Sequence, residues 1–456
     1  MPRGTNSSRV DLTRTLEILR QHITQALCGA AFQKVRSTER ERQWSLGALV
    51  QFWIAVVLRA PPSLSHALVE MREGREPFVD PVPTTDQAFF QRCRDLSWRF
   101  FAEIFRRFVK ELIASTPPRF CAKLAGLQER FADVLLIDGS RLAAVARKLK
   151  ILWNERAVVL PGCLEVVYDL FRGIPRVVEF CADAASAEMN RAKGVLDSIR
   201  RDSLIVGDRL YCAGAFFEEL GERGLWGLSR RNRRLGLRRS GKRPLRKRRY
   251  GGGLLVEWIV EAGSGITAPV QTLRLIRWKQ GRKVREVLTN VLDSERLTGE
   301  EAMDLYPCRW RIERMYFDLK EVLNLNRMYA ANPNAVGMQV YAGAIVYAAM
   351  RVAQAEVAQK AGIEPEEISP AKFFPKMAAA CHIYVQREYG VEEMIRLNPG
   401  KRLHRPRWKG SRFTTVEVQN IRVRRRSEHR RRRRFCPARR RWKSFTHIRG
   451  GRKLSW

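Results

Sequence analysis

The sequence predicts an α/β protein in which a mixed-sheet core is interrupted by a β insertion and flanked by helical N- and C-terminal regions. Three observations predict it. Apolar residues recur at near-helical spacing over the first 130 positions, as in Leu12, Leu16, Leu19 and Ile23. From Val134 the pattern changes to short apolar runs of strand length alternating with helical stretches. Helical periodicity returns after position 300 and continues to about 386.

In chain order, residues 1–130 read as a helical region, with a core helix over 44–58 and breaks at the Pro-Pro pairs 61–62 and 117–118. Val134–Ile137 is a buried-strand run that ends at Asp138-Gly139. Cys163–Leu170 and Ile174–Ala182 form a hairpin across Phe171-Arg172-Gly173. A helix over 185–200 precedes a strand from Ser203 to Asp208, then a helix over 213–223 and a strand over 225–230. Arg230–Arg249 holds twelve basic residues in twenty and no acidic one, so it cannot be core. Three strand-like runs follow, Leu254–Val260, Gln271–Trp278 and Val284–Val291, as a small β insertion. Residues 300–326 are helical in composition, and a helix pair follows at about 335–359 and 367–386. The resulting division is 1–130, a core over 131–330 interrupted by 230–299, a helical region over 331–400 and a basic tail over 401–456.

Composition narrows the partners. Lys and Arg number 85 against 47 Asp and Glu, a net charge of +38. Such a surplus repels itself unless a polyanion neutralises it, and nucleic acid is the usual one. The tail from 401 carries 22 Lys and Arg against two Glu, with an unbroken arginine run at 430–434, as in arms that bind polyanions. Nine cysteines, none in a C-x-x-C pair, argue against a disulfide framework or a zinc site. The apolar runs Leu46–Leu58 and Val340–Met350 fall short of the about 20 residues that span a bilayer, so no membrane association is expected and a cytoplasmic, nucleoid-associated protein is.

Two strands end in Asp, at 138 and 208, where the strand ends of open α/β sheets gather functional residues. Asp also follows strands as a common turn former. A third element carries more weight. Tyr306, Arg309, Glu313 and Lys320 stand at offsets 0, 3, 7 and 14, within roughly 60° of one helix face. A solvated face with ion pairs one turn apart would read similarly, but Trp310, Ile312 and Phe317 surround the stripe and require part of it to be buried.

The pattern Tyr-x2-Arg-x3-Glu-x6-Lys at these positions resembles the signature of the IS4 family of insertion-sequence transposases. Ile137-Asp138-Gly139-Ser140 resembles that family's first-Asp strand, Val206-Gly207-Asp208-Arg209-Leu210-Tyr211 its second, and Leu288-Thr289-Asn290 the approach to its Glu helix. Ser140 stands where the family commonly has Thr, and Pro307 within the signature places Tyr306 near a helix cap. The resemblance implies an RNase H-like core and a DDE triad of Asp138, Asp208 and Glu313, all three both catalytic and metal ligands. It implies Mg²⁺, with Mn²⁺ as a substitute, because three clustered carboxylates repel unless hard cations neutralise them. Arg309 and Lys320 are then expected to hold phosphates and Tyr306 to hydrogen-bond one. Double-stranded DNA is the expected partner, both as element ends and as target, bound by a homodimer, with residues 1–130 contributing to end binding. Arg230, Arg231, Arg233 and Arg234 are expected to contact the DNA backbone. Trp278 and Trp258 are the insertion's candidates for stacking on a displaced base, against a competing reading as ordinary sheet packing. The expected function is end cleavage and joining of 3′-ends to target DNA. The alternatives are a catalytically idle or domesticated DNA-binding protein, or a DDE nuclease without strand transfer.

Overall fold

The computed structural model describes residues 9–35, 44–75, 79–142, 162–183, 186–263, 270–330, 332–381, 415–417 and 420–423. A short strand β1 (Arg9–Asp11) leads into helices α1 (Arg14–His22), α2 (Gln25–Val35), α3 (Leu46–Arg59), α4 (Leu64–Arg72), α5 (Asp86–Asp95), α6 (Arg99–Ser115) and α7 (Leu127–Arg130). Ser45, Ser63 and Thr85 each accept a backbone N–H of the first turn of α3, α4 and α5, which fixes where those helices start. The apolar helix expected over 44–58 is α3, buried on almost every side.

The core follows as β2 (Val134–Arg141), β3 (Cys163–Asp169), β4 (Ile174–Cys181), α8 (Glu188–Leu196), β5 (Leu204–Gly207), α9 (Gly214–Glu222) and β6 (Trp226–Arg230). β2, β5 and β6 run parallel, β3 runs antiparallel between β2 and β4, and the spatial order is β4-β3-β2-β5-β6. This is the RNase H-like arrangement. The expected β3–β4 hairpin turns at Gly173, whose φ of 72° suits a glycine and where a Cβ would press on Phe120.

The insertion does not hang off this sheet but lengthens it. β7 (Leu237–Arg239), β8 (Arg246–Tyr250), β9 (Gly253–Ala262), β10 (Gln271–Gln280) and β11 (Lys283–Thr289) join through an antiparallel β11–β6 ladder, making ten strands in one sheet. Asn290 clamps that seam: its side chain accepts from Gly227 N at 2.7 Å and donates to Leu225 O at 3.1 Å. The basic stretch 230–249 supplies two strands that the sequence reading did not foresee, β7 and β8, both paired with β9. Acids accommodate their charge: Arg238 pairs with Glu261, Arg246 with Glu295 and Arg248 with Glu300. Charged side chains also suit a strand at a sheet margin, where they discourage pairing with another chain.

After β11 come α10 (Gly299–Leu305), a 3₁₀ turn over Tyr306–Arg309, α11 (Trp310–Phe317), a π-helical turn over Asp318–Val322, α12 (Pro333–Lys360) and α13 (370–381). The single helix expected over 300–326 is thus re-pitched twice. Pro307 has no N–H to donate back into α10, so the chain tightens there. Of the helix expected over 367–386, residues 382–386 lie outside the described residues, as does the arginine run 430–434. Within the tail, described residues are folded: β12 (Thr415–Glu417) pairs with β1, Ile421 is fully buried and Arg422 pairs with Glu367.

α12 is long and apolar enough to cross a membrane by length and composition, but it is buried throughout against α3, α6 and β4. One continuous hydrophobic core joins α3, α6, α12 and the face of the sheet carrying Val134 and Leu136. A second core lies on the opposite face, under α8 and α9.

Candidate active site

Because side chains alternate along a strand, β2 sends Leu136 into the α12 side of the sheet and Leu135 and Ile137 into the α8 side. Asp138 therefore opens on the side where α11 crosses β2. Tyr316, buried on α11, donates its hydroxyl to Asp138 O at 2.7 Å and locks helix to strand. Asp208 is the first residue past β5, and its Oδ1 accepts from Leu210 N at 2.6 Å. The 3₁₀ turn touches the ends of β5 and β6, which brings Tyr306 and Arg309 to the same edge.

The three acids share one electrostatic field. Burial pushes the Asp138 carboxyl up to about 7, Arg309 opposes the shift, and the charges of Glu188, Asp208 and Glu313 add to it. Arg309 is buried and its Nη2 holds Glu313 Oε1 at 2.6 Å, so the cation expected to hold phosphate is engaged by the triad's own Glu. Tyr306 faces Arg309, Arg230 and Asp208, and burial raises its hydroxyl. Lys320 donates to Ser140 Oγ at 2.7 Å and to Arg141 O at 3.2 Å, so its ammonium is tied to the strand just beyond Asp138. The π-helical turn carries it there, and burial lowers its affinity for the proton.

The remaining predicted residues divide. Arg230 is exposed at the end of β6 near Tyr306; Arg233 and Arg234 are exposed in the following turn; Arg231 pairs with Glu286 at 3.1 Å. Trp278 is buried, donates its Nε1 to Tyr250 O at 2.9 Å and is covered by Arg285. Trp258 is partly buried beneath Arg239. Both are packed within the sheet, as β-propensity alone would place them. Exposed aromatics lie instead on α11, Trp310, 63% exposed, and Phe317, 46% exposed, one turn to either side of Glu313. The helical spacing 310–313–317 was visible in the sequence; the exposure was not.

Glu188, Glu165 and Tyr211 were also missed. Glu188 opens α8 and reaches over Gly139, where a Cβ would stand 2.7 Å from its Cγ and Cδ. Glu165 is the register partner of Gly139 on β3 and is fully buried, and burial pushes its carboxyl up to about 8. The Tyr211 hydroxyl lies 2.8 Å from Glu165 Oε1 and 3.0 Å from Glu188 Oε1. The glycine after Asp138 was the one sequence signal for this crowding.

The donor chemistry fits a hard divalent cation, since Asp138, Asp208 and Glu313 offer carboxylate oxygens. Among the described residues, no three His, Cys, Asp or Glu side chains stand close enough to close on one ion. Glu313 is turned to Arg309 instead.

Residues 130–349 match the Transposase DDE domain family. Two curated relatives are "Putative transposase for insertion sequence element IS4SA" of Synechocystis sp., 36% identical over 70 residues, and "Putative transposase y4zB" of Sinorhizobium fredii, 24% identical over 193 residues. The first match covers 14% of this chain and 21% of the relative, the second 42% and 52%, so the matches span about half the relatives' length at most. Among solved structures, the piggyBac transposase synaptic complex with hairpin DNA aligns over 85% of this chain and 83% of that one, at 12% identity and a TM-score of 0.38.

Proposed function

We propose that this chain, whose residues 130–349 match the transposase DDE domain family, mobilises an insertion sequence of the IS4 type by binding its ends, cleaving them and joining the 3′-ends to target DNA. The observation that carries the reading is the shared field of Asp138, Asp208 and Glu313 at one edge of the sheet, delivered by β2, β5 and α11, with Arg309 among them.

Asp138, Asp208 and Glu313 would hold Mg²⁺ or Mn²⁺, which when bound stabilises the attacking and leaving oxygens of an in-line phosphoryl transfer. The chain's own residues prepare for this. Tyr316 and Lys320, one helical turn apart, pin the Asp138 strand at Asp138 and Ser140. Arg309, engaged with Glu313, would present its guanidinium fork to a phosphate, which that fork suits geometrically. Tyr306 sits beside Arg309 as a hydroxyl donor to the same group. Arg230, Arg233 and Arg234, exposed at the end of β6, are placed to run along a DNA backbone entering this edge. Two ends must be held together for transposition, so the working form is a homodimer on DNA, at the nucleoid.

The test is divalent-dependent nicking and strand transfer on a DNA carrying the element's ends. Glu313→Gln and Asp138→Ala should lose cleavage while binding DNA within about twofold of wild type, since the acids contribute no attraction to phosphate. Cleavage surviving in Glu313→Gln overturns the reading. Cleavage without joined product identifies a nuclease, and binding without either identifies a DNA-binding protein.

A further inference from the structure

The carboxylates gathered at the end of β2 outnumber the triad. Two further acids and a phenol stand beside Asp138, on the α8 side of the same sheet edge. Nothing in the cleavage reading requires them, and burying acids together costs free energy unless the arrangement does something.

We propose that Glu188 is a fourth carboxylate of the catalytic centre, facing the ion held by Asp138 and kept in place by Tyr211. The proposal rests on the transposase reading above. Three observations support it. First, Gly139 leaves a gap in the strand beside Asp138, and Glu188 fills the space a Cβ would need, 2.7 Å from both Cγ and Cδ. Alanine there would push Glu188 off the edge. Second, Glu188 is anchored by one oxygen: Oε1 lies 3.0 Å from the Tyr211 hydroxyl, and the residue is half-buried. Third, Glu165 stands behind it, fully buried, with Oε1 2.8 Å from the same hydroxyl and Oε2 lacking a hydrogen-bond partner while pointing at the Gly139 position. Arg191, the nearest cation, stays 3.8 Å from Glu165 Oε2. Tyr211 is itself buried on α9's approach and packed against Phe216.

This is the geometry of an oriented ligand. A carboxylate that binds a hard cation through one oxygen is commonly steered by a hydrogen bond to the other. Glu165 and Tyr211 are positioning residues in this scheme: they do not reach the ion, and they set the direction in which Glu188 points.

The experiment uses the full-length protein and Mn²⁺ as probe. Mn²⁺ binding by calorimetry is compared among wild type, Asp138→Ala, Glu188→Gln and Tyr211→Phe, with nicking and thermal midpoint measured alongside. Glu188→Gln should weaken Mn²⁺ binding about tenfold, with Tyr211→Phe shifting it in the same direction by less, and both should keep the wild-type midpoint within a few degrees. Raising Mn²⁺ should restore nicking to both variants, a rescue that a merely structural role would not give. Unchanged Mn²⁺ affinity in Glu188→Gln, with affinity lost in Asp138→Ala, overturns the fourth carboxylate and leaves the transposase reading intact. A wild type that binds no Mn²⁺ and does not nick overturns both.

Discussion

Glu313 has an aromatic neighbour on each side that water reaches more freely than it reaches most such rings. Trp310 and Phe317 lie one helical turn away in each direction, so the three side chains share a stripe of α11 that opens to solvent. Arg309 and Arg314 lean on the two rings, at 5.0 and 4.7 Å from their centroids, and hold them outward-facing. Exposed aromatics beside a candidate phosphoryl-transfer site are suited to stack on bases that have left the duplex. Trp310→Ala should therefore weaken binding to a DNA end with unpaired terminal bases by about 1–3 kcal/mol, and binding to fully paired duplex by much less. Fluorescence titration with the two DNAs distinguishes them, and equal weakening on both would assign Trp310 to the DNA backbone. Folding stability should stay near wild type, because the ring covers little core.

At the scale of elements, the insertion holds a buried ion pair whose arginine also reaches the start of α10. Glu257 on β9 and Arg274 on β10 are both nearly inaccessible, with Oε2 and Nη1 3.7 Å apart. Arg274 also donates to Leu297 O, just before the capping box in which Thr298 and Glu301 start α10. Gly299 leaves room for the Glu257 carboxylate, which a Cβ at that position would meet at 2.5 Å. The insertion therefore meets the start of α10 directly. Glu257→Ala leaves a guanidinium buried and unpaired, so it should cost roughly 3–5 kcal/mol in chemical denaturation and depress nicking through α10. Replacing both partners with apolar residues of similar volume should recover most of the stability. A single-variant cost below about 1 kcal/mol would show the pair to be incidental.

For the whole molecule, the first and last described segments, Arg9–Asp11 and residues 415–417 with 420–423, are tied to one body. β1 pairs with β12, and Ile421 seals the core beside α13, whose neighbour Ser369 donates its N–H to Ile421 O at 2.8 Å. Truncation before position 420 would thus remove packed residues along with charge. A chain ending at Val423 keeps the packed segment and removes most of the tail's arginines. It should retain its thermal midpoint, bind all DNA sequences more weakly and show a flatter dependence of log K on log salt, by roughly one unit of slope for each phosphate that the tail had neutralised. An unchanged salt slope would exclude the tail from DNA binding.

What the sequence determined by itself was local and periodic: a strand that carries Asp138, within it rather than at its expected end, a strand that leads to Asp208, the core helix α3, the β3–β4 hairpin and the spacing of Tyr306, Arg309, Glu313 and Lys320. Those follow from alternation, helical period and turn chemistry, which act over a few residues. The tertiary structure decided what depends on residues far apart in the chain. It folded the basic 230–249 stretch into strands because β9 offered a ladder and acids elsewhere in the chain offered partners. It buried Trp278 and exposed Trp310, since strand and helix present opposite faces only once their neighbours are in place. It also set Glu188 across Gly139 beside Asp138, a meeting of residues about fifty positions apart. No pattern along the chain encodes such a meeting, because it is made by the order in which strands pair rather than by the period of any one of them.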